Sequence, residues 1–448
     1  MTPADLRGLI ADCLRLWGIW GRCAARGDGV EVRTMSGLFL HIRQAHAAER
    51  PARWMLETTG GAVRPPRPAA SIVGLLGALR KALGGGTAGP ALKVGRAEIG
   101  PEPRTDHAAP APAPAPAGMR GATPGTTPVL VVTGFLGSGK TTFIRKLLSD
   151  PRFARSAVIV NEFGEIGLDH DILASSSDAL IRLSTGCLCC AVRSDLIDTL
   201  LDLDARRSGG EVAFDRVIIE TSGLADPVPI LQALMSDPAV AARFTLEGVL
   251  TLVDAVHGPS TLAGHVEARR QVVVADRLLI TKTDLAPASA GLLKDLNALN
   301  PSADRVFHAE EAAAGLLAGS GAARVRQIAT GCVDQAARHS GGRDALALTR
   351  DAPIPAIALA LFLQALADQA GDRLLRVKGL VFIAEMPERP ALVHGVQHVF
   401  APPEWLEGWP GGERHTRMMF IGASLPPRWP ARLLEAICAD VRAAAENA

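Results

Sequence analysis

The stretch VLVVTGFLGSGKTTFIRKLL, residues 129–148, decides the fold. Its opening apolar run, 129–132, reads as a buried strand, and KTTFIRKLL reads as a helix. Between them, Gly134 to Thr142 satisfies the phosphate-loop spacing G-x-x-x-x-G-K-[ST]. Gly134, Gly137 and Gly139 let the backbone curl until successive N–H groups point at phosphate oxygens, and the helix adds the positive end of its dipole. Lys140 is placed to reach the β- and γ-phosphates and the Thr141 hydroxyl to ligate Mg²⁺, with Ser138 and Thr142 completing the loop.

Working outward, short apolar strands alternate with helical segments: AVIV (157–160), RVII (216–219), GVLTLV (248–253) and RLLIT (277–281) follow the first strand. This alternation predicts an α/β phosphate-loop NTPase with a doubly wound, mostly parallel sheet. Ligands of such sheets bind beyond the carboxyl ends of the strands, so the residues after each strand are the site candidates.

After the third strand comes ETSGLADP, residues 220–227. Glu220 is the candidate Mg²⁺ ligand and catalytic acidic group, and Gly223 can offer its N–H to the γ-phosphate. After the fifth comes TKTD, residues 281–284. The Asp284 carboxylate can accept hydrogen bonds from N1–H and the exocyclic amine of guanine, whereas adenine presents an acceptor and no amine there, which favours GTP over ATP. Lys282 would lay its stem along the base. Thr281 stands where N-K-x-D has Asn, which weakens one contact to the base edge. After the second strand runs NEFGEIGLDHDI, residues 161–172; its acidic composition alone fits a solvated loop, and its position fits a switch that senses the γ-phosphate.

The chain holds 7 cysteines in 448 residues, and Cys187, Cys189 and Cys190 crowd into the run CLCC. The N-terminus carries charges among its apolar residues and no apolar run is long enough to span a bilayer, so a cytoplasmic protein without membrane association is expected. In a reducing compartment clustered cysteines point to metal or catalysis more than to a structural staple. Three thiolates suit Zn²⁺ or Cu⁺ and leave one coordination position open; thiol redox and core packing remain as alternative readings. With 47 Lys plus Arg against 46 Asp plus Glu, the formal charge of +1 offers nucleic acid no electrostatic footprint.

Alternating Ala-Pro through 105–128 marks a spacer that cannot build a core. Domains are expected at 1–100, a small N-terminal α/β module; 101–127, the linker; 128–330, the nucleotide domain; and 352–446, a smaller C-terminal α+β domain. The N-terminal module should contain a helix over about 4–24, extended pieces at VEVRT and RWMLET, and a helix over about 71–83. Trp17 and Trp20, three apart, would share a helical face turned to the core.

The ordered set GFLGSGKTT, NEFGE, CLCC, ETSGLADP and TKTD resembles the CobW-type metallochaperone GTPases, and DRLLRVKGLVFI (372–383), LVHGVQHVF (392–400) and TRMMFIGASLP (416–426) resemble that family's C-terminal domain. The resemblance covers roughly 128–446. It implies GTP hydrolysis with Mg²⁺, and a transferable ion, most often Zn²⁺ with Co²⁺ as another choice, held by Cys187, Cys189 and Cys190 and delivered to a client metalloprotein. It puts Glu165 in the switch near the γ-phosphate, where it is the choice for orienting water, and Glu162 near Mg²⁺ or the transferred metal. Homodimerisation stays open, as do a GTP-dependent metal or redox sensor without transfer and an ATP-dependent kinase.

Overall fold

A computed structural model describes residues 1–58, 65–84, 126–161, 180–182, 189–317, 343–410 and 412–446. The N-terminal layer starts with α1 (Pro3–Trp17), begun by a capping box in which Thr2 and Asp5 satisfy each other's backbone N–H groups. Gly18, left-handed at φ 70°, ends it. The helix is therefore shorter than the apolar pattern predicts, and the chain turns at once into a five-stranded antiparallel meander: β1 (Gly21–Arg26), β2 (Gly29–Thr34), β3 (Phe39–Gln44), β4 (Trp54–Thr58) and β5 (Arg67–Ala69). Trp20 falls in that turn with 83% of its surface exposed, so it shares no helical face with Trp17. Helix α2 (Ile72–Ala82) closes the layer.

The central sheet has seven strands: β6 (Thr127–Gly134), β7 (Ser156–Asn161), β8 (Leu180–Arg182), β9 (Arg216–Thr221), β10 (Phe244–Asp254), β11 (Arg277–Thr281) and β12 (Asp304–Val306). Every neighbouring pair is parallel, in the order β12-β11-β10-β6-β9-β7-β8. The helices are α3 (Lys140–Leu148), α4 (Cys189–Ser208), α5 (Val228–Ser236), α6 (Pro238–Ala241), α7 (Gly258–Gly264), α8 (Val266–Val274), α9 (Ala290–Leu299) and α10 (Ala309–Leu317). Side chains alternate along β6, and both faces are covered: Val129 and Val131 join a core with Leu231 and Leu234 of α5, while Leu130 and Val132 join one with Phe143 and Ile144 of α3. The switch point lies at β6, between β9 and β10. The loops that follow these strands therefore converge on one edge.

The C-terminal part is antiparallel: β13 (Arg343–Arg350), α11 (Ala356–Ala370), β14 (Leu374–Val381), β15 (Ala391–Val396), β16 (Val399–Phe400), β17 (Glu404–Trp405), β18 (Thr416–Ala423) and α12 (Trp429–Ala445). Its sheet runs β13-β18-β14-β15-β16, with β17 beside β15. Helices α1 and α2 pack on α11 and α12, so Leu9, Ile10 and Leu75 belong to the same buried cluster as Phe362, Leu433 and Ile437. The C-terminal sheet also meets the nucleotide domain. Val396 and Val399 join the core around α5, Gln232 Nε2 donates to Gln397 Oε1 at 3.0 Å, and Asp276 takes Arg376 at 2.8 Å and Lys378 at 2.7 Å.

Candidate nucleotide site

Gly134 ends β6 at φ 147°, and a Cβ there would stand 2.6 Å from the Leu252 carbonyl oxygen and 2.7 Å from Ser138 Oγ. Only a residue without a side chain lets the loop curl this tightly against β10. Gly137 and Gly139 also take positive φ, at 69° and 92°. Lys140 opens α3 and folds back over the loop, its Nζ donating to the carbonyls of Gly134 at 3.0 Å and Phe135 at 3.3 Å. These are stand-ins for phosphate oxygens, which the same ammonium would take in their place.

One residue along, the Thr141 hydroxyl donates to Glu220 Oε1 at 2.8 Å. Glu220 lies opposite Val132 at the end of β9 and is 3% exposed. A hydroxyl and a buried carboxylate at the lip of a phosphate loop form an oxygen donor set suited to Mg²⁺, a hard cation that keeps several waters and shares its remaining ligands with phosphate. Thr142 is exposed.

The loop after β9 lies on the phosphate loop. A Cβ on Gly223 would come within 2.7 Å of Leu136 N and 2.8 Å of its Cα. From the other side Gln271 on α8, 1% exposed, donates through Nε2 to the carbonyls of Gly223 at 3.1 Å and Ala225 at 3.0 Å, and Arg270 pairs with Asp226 at 2.8 Å.

After β11, Thr281 Oγ1 donates to the Ser138 carbonyl at 2.9 Å, which ties the TKTD loop to the phosphate loop. The residue standing in for Asn thus acts between loops. Lys282 takes φ 58° and its ammonium meets Asp254 Oδ2 at 2.7 Å. Asp254 also accepts from the N–H groups of Val256 and His257. Burial opposes its ionisation, but Lys282 and those two N–H groups outweigh it and hold the carboxyl below its ordinary value. Asp284 is exposed at the loop's end. A cavity of about 190 Å³ is lined by Phe135, Ser138, Asp254, His257 and Lys282 among others. Asp254 and Gln271 were not singled out in the sequence. The signal for Asp254 was present, because it stands directly after the fourth apolar strand as Glu220 stands at the end of the third.

Cys189 and Cys190 open helix α4, so the CLCC run enters a helix at Cys189. Glu162, Glu165 and Cys187 lie outside the described residues. Among the described residues no three His, Cys, Asp or Glu groups converge as a metal site, and no helix is long and apolar enough to cross a membrane.

Residues 128–307 match the CobW/HypB/UreG nucleotide-binding domain, and residues 344–438 match the CobW C-terminal domain. The zinc chaperone YjiA of Escherichia coli is 34% identical over 303 residues, which are 66% of this chain and 94% of that protein. The chain belongs to the CobW family. A second CobW relative, the zinc chaperone CobW of a Sinorhizobium species, is 32% identical over 347 residues, 67% of this chain and 94% of its own. The crystal structure of Zn(II)-bound YjiA GTPase superposes with a TM-score of 0.50 at 29% identity, covering 71% of this chain and 98% of that one. The CobW-family segments begin at residue 128, so the N-terminal layer lies ahead of both.

Proposed function

We propose that this chain is a cytoplasmic GTP-hydrolysing metallochaperone that carries Zn²⁺, or a similar ion such as Co²⁺, on Cys187, Cys189 and Cys190 and hands it to a client metalloprotein. The observation that carries the nucleotide half is the Thr141–Glu220 pair beside the Lys140 ammonium, an oxygen-donor set and a cation at the mouth of one phosphate loop. The zinc chaperone names of its relatives support the metal half.

Lys140 moves from the Gly134 and Phe135 carbonyls to the β- and γ-phosphates. Thr141 and Glu220, with Glu162, hold Mg²⁺, which when bound neutralises charge on the phosphate oxygens. Gly223 donates its N–H to the γ-phosphate, Lys282 and Asp284 take the guanine, and Glu165 orients the attacking water. Cys189 and Cys190 start α4, whose positive dipole end favours their thiolates. With γ-phosphate present the switch over 161–171 closes and the thiolates gather; hydrolysis releases both, and the client takes the ion.

The test is a zinc titration of the reduced protein with and without a nonhydrolysable GTP analogue. The analogue should change zinc affinity by about 5- to 150-fold, the usual range for coupled sites, and replacing all three cysteines by Ser should abolish the tight site. Unchanged stoichiometry and affinity in that variant would sink the metal assignment.

A further inference from the structure

Among the described residues the N-terminal layer contributes none to the nucleotide site, yet one of its corners carries a cleft of its own. Beside β1 lies a cleft of about 640 Å³ between α1, the turn at Gly18–Gly21 and α12. Arg7, Arg15 and Arg432 line it. Beneath them is one carboxylate, Asp12, 1% exposed and shared by Arg15 at 2.5 Å and Arg432 at 2.6 Å. Three guanidinium groups outnumber the buried Asp12 and the exposed Asp5, whose carboxyl also feels Arg432, so the cleft stays positive, and Arg7 has no ion pair among the described residues.

On the rim are Trp20 and Met35, 83% and 85% exposed, the two most exposed large apolar side chains among the described residues. They are adjacent, since Met35 N donates to the Trp20 carbonyl at 3.0 Å. β1 itself is the terminal strand of its sheet, paired with β2 on one side. All of its residues but Cys23 are exposed, and Gly21, Ala24 and Ala25 leave its surface low. An unpaired edge strand is a template for another strand.

We propose that the open edge of β1 and the arginine-lined cleft together dock an extended, acidic segment of a partner protein. A strand laid against β1 would alternate its side chains between the two faces. Those on the face of Cys23, which lines the cleft, meet Arg7 and Arg15, so carboxylates are favoured there and basic residues repelled. Trp20 supplies an indole at the end of the added strand, the side chain most often found at the energetic centre of an interface. The chain's own spacer over 105–128 suits the edge poorly, because its alternating prolines have no N–H for a ladder.

The proposal is tested on the full-length protein with a fluorescein-labelled octapeptide of alternating Glu and Val, read by anisotropy, against the Lys-Val counterpart. Saturable binding of the acidic peptide alone is expected, weakened about tenfold or more, ~1.4 kcal/mol, by Arg7→Glu and by Trp20→Ala. Both replaced side chains are exposed, so melting temperature and GTP turnover should stay at wild-type values. Hydrogen exchange should show new protection of β1 amides when the peptide binds, which charge attraction alone would not give. No saturable binding, wild-type affinity in either variant, or binding without β1 protection would each overturn the proposal.

Discussion

At the scale of single residues, the TKTD loop rests on a strained lysine held by a carboxylate. Lys282 in the left-handed region costs about 1 kcal/mol or more relative to an ordinary backbone, and the Asp254 ion pair with its two backbone donors offsets that cost. The folded Asp254 carboxyl lies below 3.8, its value when free. A carboxyl depressed on folding contributes stability that is fully present above the free value and fades as pH falls through the folded one. Asp254→Asn should therefore lose about 1 kcal/mol in urea denaturation near neutral pH, and the gap to wild type should close only below about pH 4. Asp284, exposed and without a hydrogen bond or ion pair among the described residues, gives the cleaner functional test. Asp284→Ala should narrow the preference for GTP over ATP by about 10- to 100-fold, the worth of hydrogen bonds to a charged group, with melting temperature unchanged. Equal nucleotide preference in the wild type and this variant would count against guanine recognition at this loop.

Among the elements, what the sequence made legible were contacts fixed by local spacing. GFLGSGKTT announces its own loop, and Glu220 is found because it ends an apolar strand. Contacts that depend on register between distant segments were not legible. Asp254 meets Lys282 because β10 and β11 pair with Asp254 opposite Thr281, and Gln271 reaches Gly223 because α8 lies beside that loop. The end of α1 was a local signal that apolar spacing obscured: Gly18 stops the helix, although Ile19 and Trp20 continue the hydrophobic pattern. The loop after β9 shows how close such packing is. A methyl at Gly223 would strike the Leu136 backbone at 2.7 Å, and backbone cannot turn aside as a side chain can. Gly223→Ala should force the two loops apart, lowering GTP affinity about tenfold or more and stability by about 1–3 kcal/mol, the cost of overpacking. Isothermal titration and urea denaturation would measure the two effects, and wild-type values in both would show that the loops do not need this approach.

At the scale of the whole molecule, the C-terminal sheet and its helices sit between two partners. On one side α11 and α12 share a core with α1 and α2, a union that neither the spacer nor the amphipathic patterns announced, because the apolar face of each helix fits any partner of similar shape. On the other side the sheet touches α5, which follows the loop after β9, and α8, whose Gln271 holds that loop. The polar centre of that contact is Asp276, which takes Arg376 and Lys378 on its Oδ1 while its Oδ2 accepts from Val249 N at 2.8 Å. Arg376 and Lys378 are 2% and 3% exposed. A buried cation stripped of its carboxylate costs far more than the pair contributes, because its desolvation is no longer offset. Asp276→Ala should therefore destabilise the protein by about 3–5 kcal/mol, and Asp276→Asn, which keeps the shape and loses the charge, should be nearly as damaging. Adding Lys378→Met to Asp276→Asn removes one of the two buried cations that face this carboxylate and should restore part of the loss, so the double-mutant cycle would give a coupling of about 1 kcal/mol or more. Strict additivity in that cycle would mean that Lys378 does not depend on this carboxylate, leaving Arg376 and the apolar contacts at Val396 and Val399 to hold the joint between nucleotide domain and C-terminal sheet.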